Sequence, residues 1–178
     1  MALTKVRAGG VNLADTFAFT GTVTGASAVT VVDQWRLTSN FTTDGGTLSP
    51  WEQPDDVTFS NAGTSMTVSS GVFTFPSSGL YLVFYFGQGT NGSGDNSMSV
   101  QTKISSDSGS TYDIVTSAIS GSGGQNYSVT SESLVNVTDA STFRCKFDTQ
   151  SMGSGTAVYG DTNYNRTAVT FVRLADAQ

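Results

Sequence analysis

Gly79-Leu-Tyr-Leu-Val-Phe-Tyr-Phe86 is apolar at every position after its glycine. In a strand, Tyr81, Val83 and Tyr85 share one face while Leu80, Leu82, Phe84 and Phe86 share the other. A strand apolar on both sides belongs in the middle of a sheet with both sides covered. A second sheet can cover one face. The other needs a different cover, and a neighbouring subunit is the simplest candidate, so oligomerisation is an expectation of this stretch.

Outward from it, period-2 or β-branched runs recur at Val29–Leu37, Val57–Ser60, Ser65–Val68, Val72–Phe75, Met98–Ile104, Tyr112–Ile119, Tyr127–Val137, Thr142–Phe147, Thr156–Tyr159 and Thr167–Leu174. Turn chemistry separates them, as at Asp44-Gly-Gly, Ser69-Ser-Gly, Asp107-Ser-Gly and Met152-Gly-Ser-Gly. No window carries apolar residues at helical spacing behind a capped start. The pattern predicts an all-β sandwich, jelly roll or barrel.

The composition agrees. Of 178 residues 37% are hydrophobic, enough to bury a core, but only 12% are charged, against roughly 25% in soluble domains. Weakly charged surface desolvates cheaply, which suits a protein covered by copies of itself or by a partner. The net charge of −6 and the lack of any Lys/Arg run argue against nucleic acid. No apolar run approaches a membrane span, and no secretory leader is visible at Met1. The sequons at Asn40, Asn91, Asn126, Asn136 and Asn165 therefore read as an Asn- and Ser/Thr-rich β surface.

Residues 1–28 alternate weakly, and Phe17 and Phe19 need partners. They read as an extended N-terminal arm ahead of a domain at 29–178, with Phe17 and Phe19 as docking anchors. A first strand of the same domain is the alternative. Lys5 and Arg7 fit either a solvated tail or docking on an acidic partner. The Gly/Ser/Asn-rich segments 87–97 and 120–126 read as exposed loops, which carry either plain connection or recognition.

Catalytic chemistry finds little footing. The chain has no His and one cysteine, Cys145, which rules out His-dependent nucleophilic systems and a zinc site. In Phe143-Arg-Cys-Lys-Phe147 the cysteine shares a strand face with two aromatics and reads as a small core residue. Asp55-Asp56 could hold a cation with backbone carbonyls or sit in a solvated loop. Asp139 and Asp148 flank a strand without the spacing of an acid/base pair, and Gly87-Gln-Gly89 precedes no helix that would make it a phosphate loop. Trp35 and Trp51 fit burial beside strand ends better than sugar stacking. Arg36 and Arg166 are candidate inter-subunit ion-pair donors or surface residues. No cofactor and no metal are expected.

Asn61, Phe73, Gly79, Tyr81 and Tyr85 stand at the spacings of the C1q/tumour-necrosis-factor-like family, which this region resembles, as does the closing strand Thr170-Phe171-Val-Arg-Leu174. Met66 replaces an aromatic or Leu of the family pattern, Val83 a Phe, and Asp55 the Phe expected before Asn61. The resemblance implies a jelly roll associating as a bell-shaped homotrimer, with central-strand aromatics along the threefold axis. Tyr81, Val83 and Tyr85 are then the trimer-interface candidates; ordinary core burial is the competing reading for the tyrosines.

Leu13-Ala-Asp-Thr-Phe-Ala-Phe-Thr-Gly-Thr-Val-Thr-Gly25 is similar to leaders of tailed-phage virion proteins. That likeness implies a non-enzymatic knob on the virion surface, assembled in the host cytoplasm. The expectation is a capsid decoration or cement protein whose arm docks on another virion protein, a major capsid or tail protein. A short tail fibre or receptor-binding tip recognising a bacterial surface glycan is the alternative, and a depolymerase the third.

Overall fold

The computed structural model describes residues 29–121 and 123–178. The arm at 1–28, with Lys5, Arg7, Phe17 and Phe19, lies outside the described residues.

Alternation becomes strand nearly wherever it was read. The elements are β1 (Val31–Leu37), β2 (Trp51–Glu52), β3 (Thr67–Ser69), β4 (Val72–Thr74), β5 (Gly79–Thr90), β6 (Ser99–Ser105), β7 (Asp113–Ile119), β8 (Asn126–Val137), β9 (Arg144–Gln150), β10 (Ala157–Val158) and β11 (Ala168–Ala175). Val57–Ser60, expected as a strand, is a loop in which Val57 is fully exposed. Its neighbours Asp55 and Asp56 are drawn to the Arg36 guanidinium, and Phe59 N–H bonds the Asp56 carbonyl in a turn. Those bonds hold the segment in a turn beside β1 and β2.

Two antiparallel sheets form the sandwich. In the first, β5 is flanked by β11 and β8, and β11 continues through β1 to the short β2. β8 follows β5 from Gly79↔Val137 to Thr90↔Asn126, while β11 leaves at Phe86 and β10 takes over beside Gly89 and Thr90. The second sheet runs β3-β4-β9-β6-β7. β1 starts opposite Arg173 at one end of the barrel-like sandwich, the base. Segments 91–97, 120–121, 123–125 and 151–156 gather at the other end, the apex.

The core is an aromatic seam between the sheets. Tyr85 stacks on Phe147 at 5.6 Å, Phe73 meets Phe171 at 5.1 Å, and Phe75 meets Tyr81 at 4.9 Å. Such offset and edge contacts add to the area term of about 1.5–3 kcal/mol per fully buried large side chain. Cys145 is buried in this seam as the sequence suggested, and burial pushes its thiol well above the usual range. Trp51 is 8% exposed and tilts against both Phe73 and Phe147, while Trp35 meets Phe73 edge-on.

Glycines make room for this seam. A Cβ at Gly87 would lie 2.2 Å from the Tyr85 hydroxyl, and one at Gly89 would lie 2.3 Å from that of Tyr127. Each tyrosine ring thus folds over a glycine of β5, and segment 87–90 is strand instead of the loop expected from its composition. At the base, a Cβ on Gly79 would strike Arg173 Nε at 2.4 Å, beside the register shift of β11.

The two core tyrosines differ in one respect. Tyr81 donates its hydroxyl to the Ser77 carbonyl at 3.0 Å, whereas the Tyr85 hydroxyl is buried with no partner and its phenol is pushed far above the usual range by desolvation. A buried unpaired hydroxyl costs about 1–3 kcal/mol, while a made bond contributes about 1. Tyr85→Phe is expected to raise stability by about 1 kcal/mol in urea unfolding, and Tyr81→Phe to lower it by about the same. Two equal effects would refute the assignment.

Candidate functional site

Position parity on β5 decides what each face can do. Tyr81, Val83 and Tyr85, the expected interface residues, are 0%, 1% and 0% exposed and point into the sandwich. A side chain with no free surface in one chain has none to present to another, so the two tyrosines follow the alternative reading as core, and Val83 joins them. The opposite face carries Leu80, Leu82, Phe84 and Phe86, all half-buried. Their register partners extend the surface: Leu82 lies between Val172 and Leu134, and Leu134 is 65% exposed. This outward face is the second apolar surface that the 79–86 stretch demanded.

A separate apolar patch lies at the sandwich edge. β7 ends the second sheet and exposes Ile114, Val115 and Ile119, the last at 64%. The register with β6 shifts between Thr102 and Lys103, which leaves Val115 of β7 as the bulged, unpaired residue. Neither alternation nor turn signals in the sequence set these residues apart from an ordinary half-buried strand.

Past Phe86 the outward face turns polar. Gln88, Asn126, Ser128, Tyr159 and Arg166 line an apical cleft of about 340 Å³, floored by Gly89 and Tyr127. The strands position them: Tyr159 N–H bonds the Gln88 carbonyl, and Gln88 N–H bonds the Arg166 carbonyl. Arg166 stands 4.1 Å over the Tyr159 ring, within cation–π range. Tyr159 donates to Asn126 Oδ1 at 3.3 Å.

The loops above the cleft are tied down. Buried Asn91 donates to Ser120 Oγ at 2.8 Å and to the Gly121 carbonyl. Asp95 accepts from Gly153 N–H at 2.8 Å and from Thr156, whose hydroxyl accepts from Gly92 N–H at 2.7 Å. The Gly/Ser/Asn-rich composition suggested slack connection, but these cross-loop bonds give the apex a defined shape.

The remaining charges are structural. Arg36 is fully buried and bonds Glu52 at 2.8 Å, Asp56 at 2.9 Å and Asp55 at 2.5 Å. Burial opposes its charge, yet the three carboxylates outweigh that and raise its pKa further. Arg36 is therefore not an inter-subunit donor, and the Asp55-Asp56 pair serves the guanidinium instead of a metal ion. Asp139 caps its own turn through Ser141. Among the described residues no group of three His, Cys, Asp or Glu side chains could hold a metal ion.

Asp148, 4% exposed on β9, bonds Lys103 at 3.0 Å, Lys146 at 2.9 Å and the Thr47 hydroxyl at 2.7 Å. Burial pushes its carboxyl up, but the hydroxyl and the two ammonium groups together hold it below the usual range. A carboxyl depressed in the folded state stabilises above its unfolded pKa and loses that contribution as pH falls through the folded value. Asp148→Asn should cost about 2–3 kcal/mol at pH 7. The gap to wild type should narrow below about pH 4; denaturant midpoints across pH 2–7 check this, and a pH-independent gap would contradict it.

No family model matches the chain, and no curated protein matches it by sequence. Solved structures do match by shape. Eiger TNF from S. frugiperda superposes with a TM-score of 0.64 at 12% identity, over 85% of this chain and 96% of its own. Murine APRIL gives 0.60 at 10%, over 81% and 98%. The globular domain of zebrafish complement 1qA protein gives 0.51 at 11%, over 83% and 99%. The chain has the jelly-roll fold of the TNF and C1q globular domains.

Proposed function

We propose that this chain is a non-enzymatic virion structural protein, a homotrimeric surface knob that decorates and cements a phage capsid through residues 1–28. The observation that carries the assembly is the pair of unlike apolar surfaces, the outward face of β5 and the β7 edge. Two different patches that fit one another generate a head-to-tail contact, which closes into a ring when the rotation allows it. Three copies is the number implied by the family resemblance. In such a ring Leu82, Phe84 and Leu134 of one subunit meet Ile114 and Ile119 of the next.

The polarity of the fold suits a knob. Val31 starts β1 at the base, and the tied loops lie at the opposite end. The virion context rests on the likeness of the 13–25 segment to phage leaders and on the low charge. Three arms on one trimer would multiply a weak docking contact by raising effective concentration. The apical cleft favours a second reading, a receptor-binding tip for a bacterial surface glycan.

Leu82→Glu combined with Phe84→Glu is expected to convert a trimer into a folded monomer, read by light scattering with circular dichroism as the fold check. A wild-type monomer at micromolar concentration would sink the ring. Removing residues 1–28 should leave the trimer intact and abolish co-sedimentation with capsids of the parent virion. Capsid binding that survives the deletion would overturn the cement assignment.

A further inference from the structure

The apical cleft offers hydrogen-bond donors and no carboxylate. Arg166 makes no ion pair or side-chain hydrogen bond among the described residues, and its Nε is shielded from solvent without an acceptor. Such orphaned donors are rare in folded proteins, because each forgoes the bond it would make with water. Asp161 feels Arg166 electrostatically, but its Oδ1 accepts from the backbone and side-chain amides of Asn163. Asn126 accepts from Tyr159 through Oδ1, which leaves its Nδ2 as a donor. Gln88 and Ser128 add an amide and a hydroxyl whose side chains have no partner among the described residues.

From these groups we infer that the cleft binds a carboxylate-bearing saccharide, with the uronate carboxyl on Arg166 and ring hydroxyls on Gln88, Asn126 and Ser128. A planar guanidinium matches a carboxylate with two parallel hydrogen bonds, and the cation–π contact with Tyr159 holds the guanidinium at the cleft. The rest of the lining is amide, hydroxyl and tyrosine, which pairs with sugar hydroxyls better than with an apolar ligand. A volume of about 340 Å³ lies in the range of ligand clefts, at its small end. Beneath the cleft, Gly89 has no side chain on its inward side, where a Cβ would collide with the Ala157 carbonyl and the Tyr127 hydroxyl.

This inference rests on the reading of the apex as the ligand-facing end and holds for a head or a tail position. The test is calorimetric titration of the full chain with tetragalacturonate and with its methyl ester, which keeps the rings and removes the charge. Saturable binding of the acid is expected, at least tenfold weaker for the ester and for Arg166→Gln, with Arg166→Lys in between. No binding of the acid, equal binding of the ester, or equal binding by Arg166→Gln would overturn it; equal ester binding would still leave a glycan-reading tip standing. Light scattering of Arg166→Gln separates the remaining case. An unchanged oligomer is expected, and loss of the oligomer would reassign Arg166 to the subunit contact and overturn the inference.

Discussion

Tyr85 lying flat against Phe147 closes the two sheets on one another, and that contact fixes the phase of β5. Once Tyr85 points inward, so must Tyr81 and Val83, and the leucines and phenylalanines between them face out. A slip of one residue would turn every side chain over and bury Gln88 while exposing both tyrosines. The phase is reinforced at Gly87 and Gly89, where only a missing Cβ lets the rings of Tyr85 and Tyr127 lie across the strand. The outward apolar surface and the apical cleft are both consequences of this choice, for they occupy the lower and upper halves of the same outward face.

Sparse charge is used economically inside that frame. Arg36 sits where β1 meets β2 and gathers three carboxylates, and Asp148 gathers two lysines over β6 and β9. Each cluster pins a loop to a sheet: segment 53–60 in the first case, the 41–48 segment through Thr47 in the second. With most other polar positions filled by Ser, Thr, Asn and Gly, few charges remain to keep a second protein surface at a distance.

Strand positions were legible because period-2 alternation is a local property, and Gly-rich turns punctuate it. Which face of β5 turned inward was not, since both faces are apolar and the choice depends on residues far along the chain, Phe147 and Phe171. Gly87 and Gly89 do share parity with Tyr85, and two glycines in line with tyrosines mark the crowded side. Arg36 and Asp55-Asp56 stand out singly in the sequence, but only the fold brings them into contact. The cleft was legible in part: segments 87–97 and 120–126 read as exposed loops, with recognition one of two readings, yet Tyr159 and Arg166 reach it from the end of β10 and the loop before β11. Ile114 and Ile119 carried no signal, because an exposed apolar position on an edge strand reads the same as an inward one until the strand order is known.

Cys145 gives the molecule an internal clock. Its thiol is sealed between the sheets beside Phe73 and Phe147, and burial keeps it protonated. The thiolate is the reactive form, so a thiol reagent meets an inert surface while the sandwich is shut. Labelling can proceed only during excursions that part β4 from β9 and admit water. The rate at which the native protein takes up such a reagent would therefore count openings of the core directly, one thiol per chain, without any engineered probe.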